Sequence, residues 1–206
     1  MTSQVRIGTS SALAVAAVLL SVGIARADDL SRDTRAKIGF EVAASQHITL
    51  DPNVPSQGLG SYLVTISNCN DCHTQPNFAP GGDPTQHQPK QVNLANYLAG
   101  GRLFPTPTGN FCSRNLTPAT SNGLPAGLTR EQFITVIRTG CDPLEGNIHD
   151  ARTCDLLQVM PWSNFNTTYR NFELSAIYDY LSVLPHTEIG DAEQCTPDPQ
   201  GLASNQ

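Results

Sequence analysis

One short run, Cys69-Asn70-Asp71-Cys72-His73, constrains this chain more than any other feature. Two thiols three residues apart lie on one face of a helical turn, and the residue that follows is directed beside them. That arrangement lets two sulfurs bond a porphyrin edge while an imidazole binds iron from below, as in c-type haem attachment. With six cysteines and five histidines in 206 residues, such a match is expected by chance only about 0.004 times. A redox dithiol would call for a preceding strand in a βαβ setting, and zinc for a second close pair of ligands. Neither accompanies the motif, which therefore predicts one covalently bound haem c held by Cys69, Cys72 and His73.

Covalent haem attachment implies export, and the start of the chain agrees. Residues 1–27 read as a cleaved signal peptide: Arg6, an apolar run from Ala12 to Val22, and Ala25-Arg26-Ala27 as a small-x-small cleavage site. The apolar run is about half of the roughly 20 residues a membrane span needs. The expected location is the bacterial periplasm, with no membrane span after cleavage. Removing Arg6 and Arg26 lowers the basic count from 12 to 10 against 18 acids, taking the formal charge from −6 to −8. An acidic chain of this kind is repelled by nucleic acid and by anionic membrane surfaces.

The remaining chain divides into an N-terminal extension (28–55), one domain (56–190) and a C-terminal tail (191–206). A polar helical piece spans Leu30 to Ala44 and ends before Asp51-Pro52-Asn53-Val54-Pro55. Tyr62, Leu63, Ile66 and Cys69 recur at helical spacing, predicting a helix from Gly58 that runs into the cysteine motif. Residues 76–90 read as an exposed loop, followed by a short helix around Val92 to Leu98. Thr129, with Gln132 at capping-box spacing, starts a helix carrying Phe133, Val136 and Ile137 that ends before Gly140. A last helix runs from Phe172 to Val183 and stops before Pro185. No strand pattern of any length is evident, so the expected class is all-α, with short helices and long turns wrapped around one haem.

The second axial ligand follows from a count. Methionine occurs twice, and Met1 leaves with the signal. Met160, in the turn-rich stretch Val159-Met160-Pro161-Trp162, is then the one thioether available to the iron. His/Met ligation favours a relatively high potential. His47, His87, His149 and His186 are competitors whose default reading is exposed loop histidine.

Several segments occur in the order found in a known family: Gly60-Ser61-Tyr62-Leu63, the CNDCHT stretch, Tyr97-Leu98-Ala99-Gly100-Gly101-Arg102, Ser113-Arg114-Asn115-Leu116-Thr117-Pro118, Arg138-Thr139-Gly140, Met160-Pro161-Trp162 and Ala176-Ile177-Tyr178-Asp179-Tyr180-Leu181. Over about residues 58–186 the chain resembles class I cytochrome c domains, above all those in cytochrome subunits of bacterial membrane-associated alcohol and sugar-acid dehydrogenases. The resemblance implies an all-helical domain with a His/Met haem on Cys69, Cys72, His73 and Met160. It also implies passage of electrons from a dehydrogenase toward a quinone or terminal oxidase. Those subunits often hold several haems, whereas this chain has one CxxCH and an insertion between Gly140 and Met160 with two cysteines of its own.

Four side chains are candidates for the haem edge. Arg102 and Arg114, in turn-rich segments, suit bidentate pairing with a propionate; Asn115 and Trp162 are candidate polar donors. Cys112, Cys141, Cys154 and Cys195 make an even set for an oxidising compartment and allow three pairings. A short local loop favours Cys141 with Cys154, leaving Cys112 with Cys195. The expected function is electron transfer without acid–base catalysis, between a dehydrogenase donor and an oxidase or cytochrome acceptor. The rival, a haem enzyme or gas or redox sensor, requires an open or displaceable sixth position.

Overall fold

A computed structural model describes residues 31–107, 109–142 and 156–188. The expected signal peptide, His149, Cys154, Cys195 and the tail from 191 lie outside the described residues. Helix α1 occupies residues 31–45, followed by α2 (Pro55–Ile66), α3 (Cys69–His73), strands β1 (Leu103–Thr106) and β2 (Gly109–Cys112), then α4 (Arg130–Thr139), α5 (Trp162–Thr168) and α6 (Asn171–Leu181). No helix among the described residues is long and apolar enough to cross a membrane.

The central packing is α2 against α6. Pro55 opens α2, where its missing N–H costs nothing. One face of α2 then buries Leu59, Leu63 and Val64 against Leu174, Ile177 and Leu181 of α6. Full burial of each such side chain stabilises by about 1.5–3 kcal/mol. Gly60 lets the helices approach: a Cβ there would sit 2.0 Å from the Ala176 carbonyl oxygen. α1 joins this core through Ala36 and Ala43, and Arg35 pairs with the largely buried Glu173 at 2.8 Å. The polar N-terminal piece is thus a helix packed on the same core.

α4 forms as its caps dictate. Thr129 Oγ1 accepts from the Gln132 N–H while Gln132 Oε1 accepts from the Thr129 N–H, and Gly140 ends the helix in the left-handed region. α4 packs against α5 and α6.

The expectation of an all-α chain needs correction, because β1 and β2 form an antiparallel hairpin pairing Leu103 with Cys112 and Phe104 with Phe111. Each strand has four residues and β1 contains Pro105, so the alternation is too short, and too proline-marked, to register as a strand pattern. The helix entering the cysteine motif also breaks. Asn68 takes a left-handed conformation (φ 53°), separating α2 from α3, while Ser67 Oγ donates to the Leu63 carbonyl at 2.7 Å. The expected helix near Val92 to Leu98 is one 3₁₀ turn, Leu94–Asn96, capped by Asn93. α5, absent from the sequence-based expectation, is a polar run of low helix propensity held by its neighbours.

Candidate functional site

One apolar cavity lies among α2, α3, the hairpin, α4 and α5, with about 1220 Å³ of empty space including its open mouth. Cys69, Cys72 and His73 form part of its wall, and Met160 lines the same space. The left-handed Asn68 produces this placement by redirecting the chain into the single turn of α3.

His73 is held from behind. Its Nδ1 lies 2.7 Å from the Arg114 carbonyl oxygen. A carbonyl can only accept, so Nδ1 carries the proton and the Nε2 lone pair is left for a metal. Burial lowers the His73 pKa, opposed by that hydrogen bond and aided by the Arg114 charge, so the ring is favoured as a neutral ligand. The backbone around it is pinned as well. The Gly100 N–H donates to the His73 carbonyl at 2.7 Å, and the Leu98 N–H donates to the buried Thr74 Oγ1 at 3.0 Å.

Both motif cysteines are free thiols. Burial pushes Cys69 up to about 12, with Cys72 adding to the shift. Burial also raises Cys72, although Arg102 opposes it. Reactive redox cysteines have depressed values, so the environment disfavours a dithiol centre. Cys112 and Cys141, by contrast, are disulfide-bonded; Cys154 and Cys195 lie outside the described residues.

The other candidates separate. Arg114 lines the cavity, but its guanidinium pairs with the buried Asp142 at 2.6 Å. Arg102 does not line it: Nη1 donates to the Asp71 carbonyl at 2.5 Å, inside the cysteine turn, and the guanidinium lies over Phe104. Asn115 is also outside the lining and serves as a clamp. Its amide donates to the Thr187 carbonyl at 2.6 Å, and its oxygen accepts from the Thr117 N–H and hydroxyl. The Trp162 ring packs over Gly140, behind the wall. His47, His87 and His186 are exposed and line no part of the cavity.

Sequence reasoning missed two contributors. The Arg114 carbonyl, which orients His73, is a backbone group and leaves no signature in residue type. Tyr169, whose hydroxyl hydrogen-bonds the Ser67 hydroxyl across the cavity wall, belongs to no motif that marks it in the sequence.

The residues present fit a haem: two sulfurs, a neutral imidazole with its far nitrogen committed, a thioether and an apolar enclosure, all on one cavity. Among the described residues no cluster of histidine, cysteine and carboxylate side chains offers a competing metal site.

No family model matches the chain. It is similar to a fructose dehydrogenase cytochrome subunit of Gluconobacter japonicus, with 27% identity over 190 residues. That match covers 92% of this chain and 30% of the relative, so the chain spans about a third of that protein's length. The likeness is distant. It supports a cytochrome c-like relationship, a haem cofactor and an electron-transfer role, and the helix-rich fold with one small hairpin is compatible with it.

Proposed function

We propose that this protein is a periplasmic electron carrier, or an electron-transfer subunit, holding a single haem c covalently through Cys69 and Cys72 with His73 and Met160 as axial ligands. It relays electrons between a dehydrogenase or other redox enzyme and a respiratory acceptor. The observation carrying this reading is the meeting of the Cys69–His73 turn and Met160, remote in sequence, in one apolar cavity. The relative's name, a cytochrome subunit of a dehydrogenase, favours that class of donor.

Bound haem supplies a one-electron iron couple. The chain's own residues set its surroundings. His73 offers Nε2 while the Arg114 carbonyl fixes the opposite nitrogen and with it the ring's orientation, and burial keeps the ring neutral. Phe133, Ile137, Leu174 and Ile177 exclude water from the wall, and a rigid, dry site needs little rearrangement on gaining an electron. Arg114, paired with Asp142 in that wall, is the propionate candidate to keep; Arg102 acts instead on the cysteine turn. The disulfide-bonded state of Cys112 and Cys141 suits an oxidising compartment, and the pairing proposed remains Cys141 with Cys154 and Cys112 with Cys195.

The test is the visible spectrum of the exported protein, oxidised and reduced, with carbon monoxide. A weak far-red ferric band, which accompanies iron–thioether bonding, together with a reduced spectrum that carbon monoxide leaves unchanged, is expected. Ready carbon monoxide binding without that band would refute the carrier reading in favour of an open-site enzyme or sensor.

A further inference from the structure

The guanidinium of Arg138 makes five hydrogen bonds, and all reach the segment that follows Met160. Nη1 donates to the Asn166 carbonyl at 2.5 Å and to Asn166 Oδ1 at 3.3 Å; Nη2 donates to the Tyr169 carbonyl at 2.7 Å and to Asn171 Oδ1 at 2.8 Å; Nε donates to Asn171 Oδ1 at 3.2 Å. Every acceptor is neutral. A charge matched to carbonyls at the end of α5 suits that end's partial negative charge, and a planar fork of donors holds three residues in fixed relation.

The near end of the same segment is fastened to the same end of α4. The Leu157 N–H donates to the Gly140 carbonyl at 2.9 Å, and Cys141 bridges Leu156. Gly140, at φ 73°, leaves room for the Trp162 ring where a Cβ would stand 2.3 Å from it. Met160 therefore sits between two anchors, one supplied by Arg138 near the end of α4 and the other by Gly140 and Cys141 just beyond it. The segment bearing it also contributes Phe165 and Tyr169 to the cavity wall.

We infer that Arg138 is a positioning residue for Met160: it clamps α5 and its junction with α6 onto α4, and so holds the thioether where it can bind iron. This deepens the proposed His/Met reading and rests on it. Loss of the clamp raises the population with sulfur off the iron, and an external ligand then binds more tightly in proportion to that population.

The experiment compares haem-loaded wild type, Arg138→Met, Arg138→Lys and Arg130→Met for covalent haem on a denaturing gel, the far-red ferric band, and the affinity of the ferric protein for imidazole. Arg130 is the control, since it also ties α4 to α6, through Asp179 and the Ser175 carbonyl, without touching the Met160 segment. Arg138→Met is expected to keep covalent haem, weaken the band and bind imidazole at least about tenfold more tightly. Arg138→Lys should fall between it and wild type, and carries the test if the methionine variant does not fold. Arg130→Met should match wild type. Unchanged imidazole affinity in both Arg138 variants, or an equal gain in Arg130→Met, would overturn the assignment while leaving His/Met ligation intact. A wild type without the far-red band would bring down the His/Met reading and this inference together.

Discussion

Replacing Gly60 with alanine sets two effects of opposite sign against each other. Gly60 is an interior residue of α2, and alanine there should strengthen the helix by about 1 kcal/mol through propensity. The added Cβ, however, would meet the Ala176 carbonyl oxygen at 2.0 Å, the Tyr180 Cβ at 2.6 Å and the Ala176 carbonyl carbon at 2.7 Å. Ordinary contact begins at 3.4 Å, so α2 and α6 would have to separate by roughly 1.4 Å. Two of the three atoms are backbone, which no rotamer change can move, and Tyr180 is fully buried. Overpacking of this kind costs about 3 kcal/mol, near the upper part of its usual range. The net expectation is a loss of about 2 kcal/mol, which for a chain of this size lowers the melting temperature by about 4–8 °C. Thermal unfolding of the haem-loaded protein, followed by far-ultraviolet circular dichroism, measures it. A melting temperature at or above wild type would show that propensity wins, and the close α2–α6 crossing would be refuted.

Further outcomes follow from the site and its supports. Met160→Ala should leave haem covalently attached on a denaturing gel while abolishing the far-red ferric band and admitting carbon monoxide; an unchanged spectrum removes Met160 from the iron. Cys72→Ala should impair stable attachment, so undiminished haem staining would count against the thioether role. Asp142→Ala leaves the Arg114 charge in a largely buried wall and should cost about 3 kcal/mol in urea unfolding; a loss under about 0.5 kcal/mol would place that pair in solvent. His186 Nε2 meets the Glu188 carboxylate and Nδ1 meets the Pro118 carbonyl, and these two contacts, Glu188 first, raise its pKa above the ordinary 6.5. A raised folded-state value means the ion-pair stabilisation is complete below about pH 6.5 and is lost as pH rises through the folded-state value. The deficit of His186→Ala should therefore be larger at pH 5.5 than at pH 8.5 (roughly one to two units either side of the ordinary value), and the reverse order would contradict the assignment.

How much could be read in advance depended on whether a side chain or the backbone performs the task. Thr129, Gln132 and Gly140 mark α4 because capping draws on specific side chains, and Leu174 through Leu181 mark α6 because its stripe has the helical period. α5 escaped because Ser, Asn and Thr disfavour helices locally; it exists because Arg138 and Gly140 hold it from outside. The hairpin escaped because four residues and a proline are too few to show a period. The same division runs through the site. Cys69, Cys72, His73 and Met160, the proposed haem residues, stand out in the sequence because haem attachment and ligation would prescribe residue types, and all four line one cavity. Arg102 and Asn115 have side chains suited to a haem edge, but their polar groups are engaged elsewhere, on Asp71 and Thr187. What orients His73 is a peptide oxygen, and every residue carries one. Only the loop path that brings residue 114 behind residue 73 makes it specific, so Arg114 matters at its carbonyl for a reason that no substitution of its side chain alone would reveal.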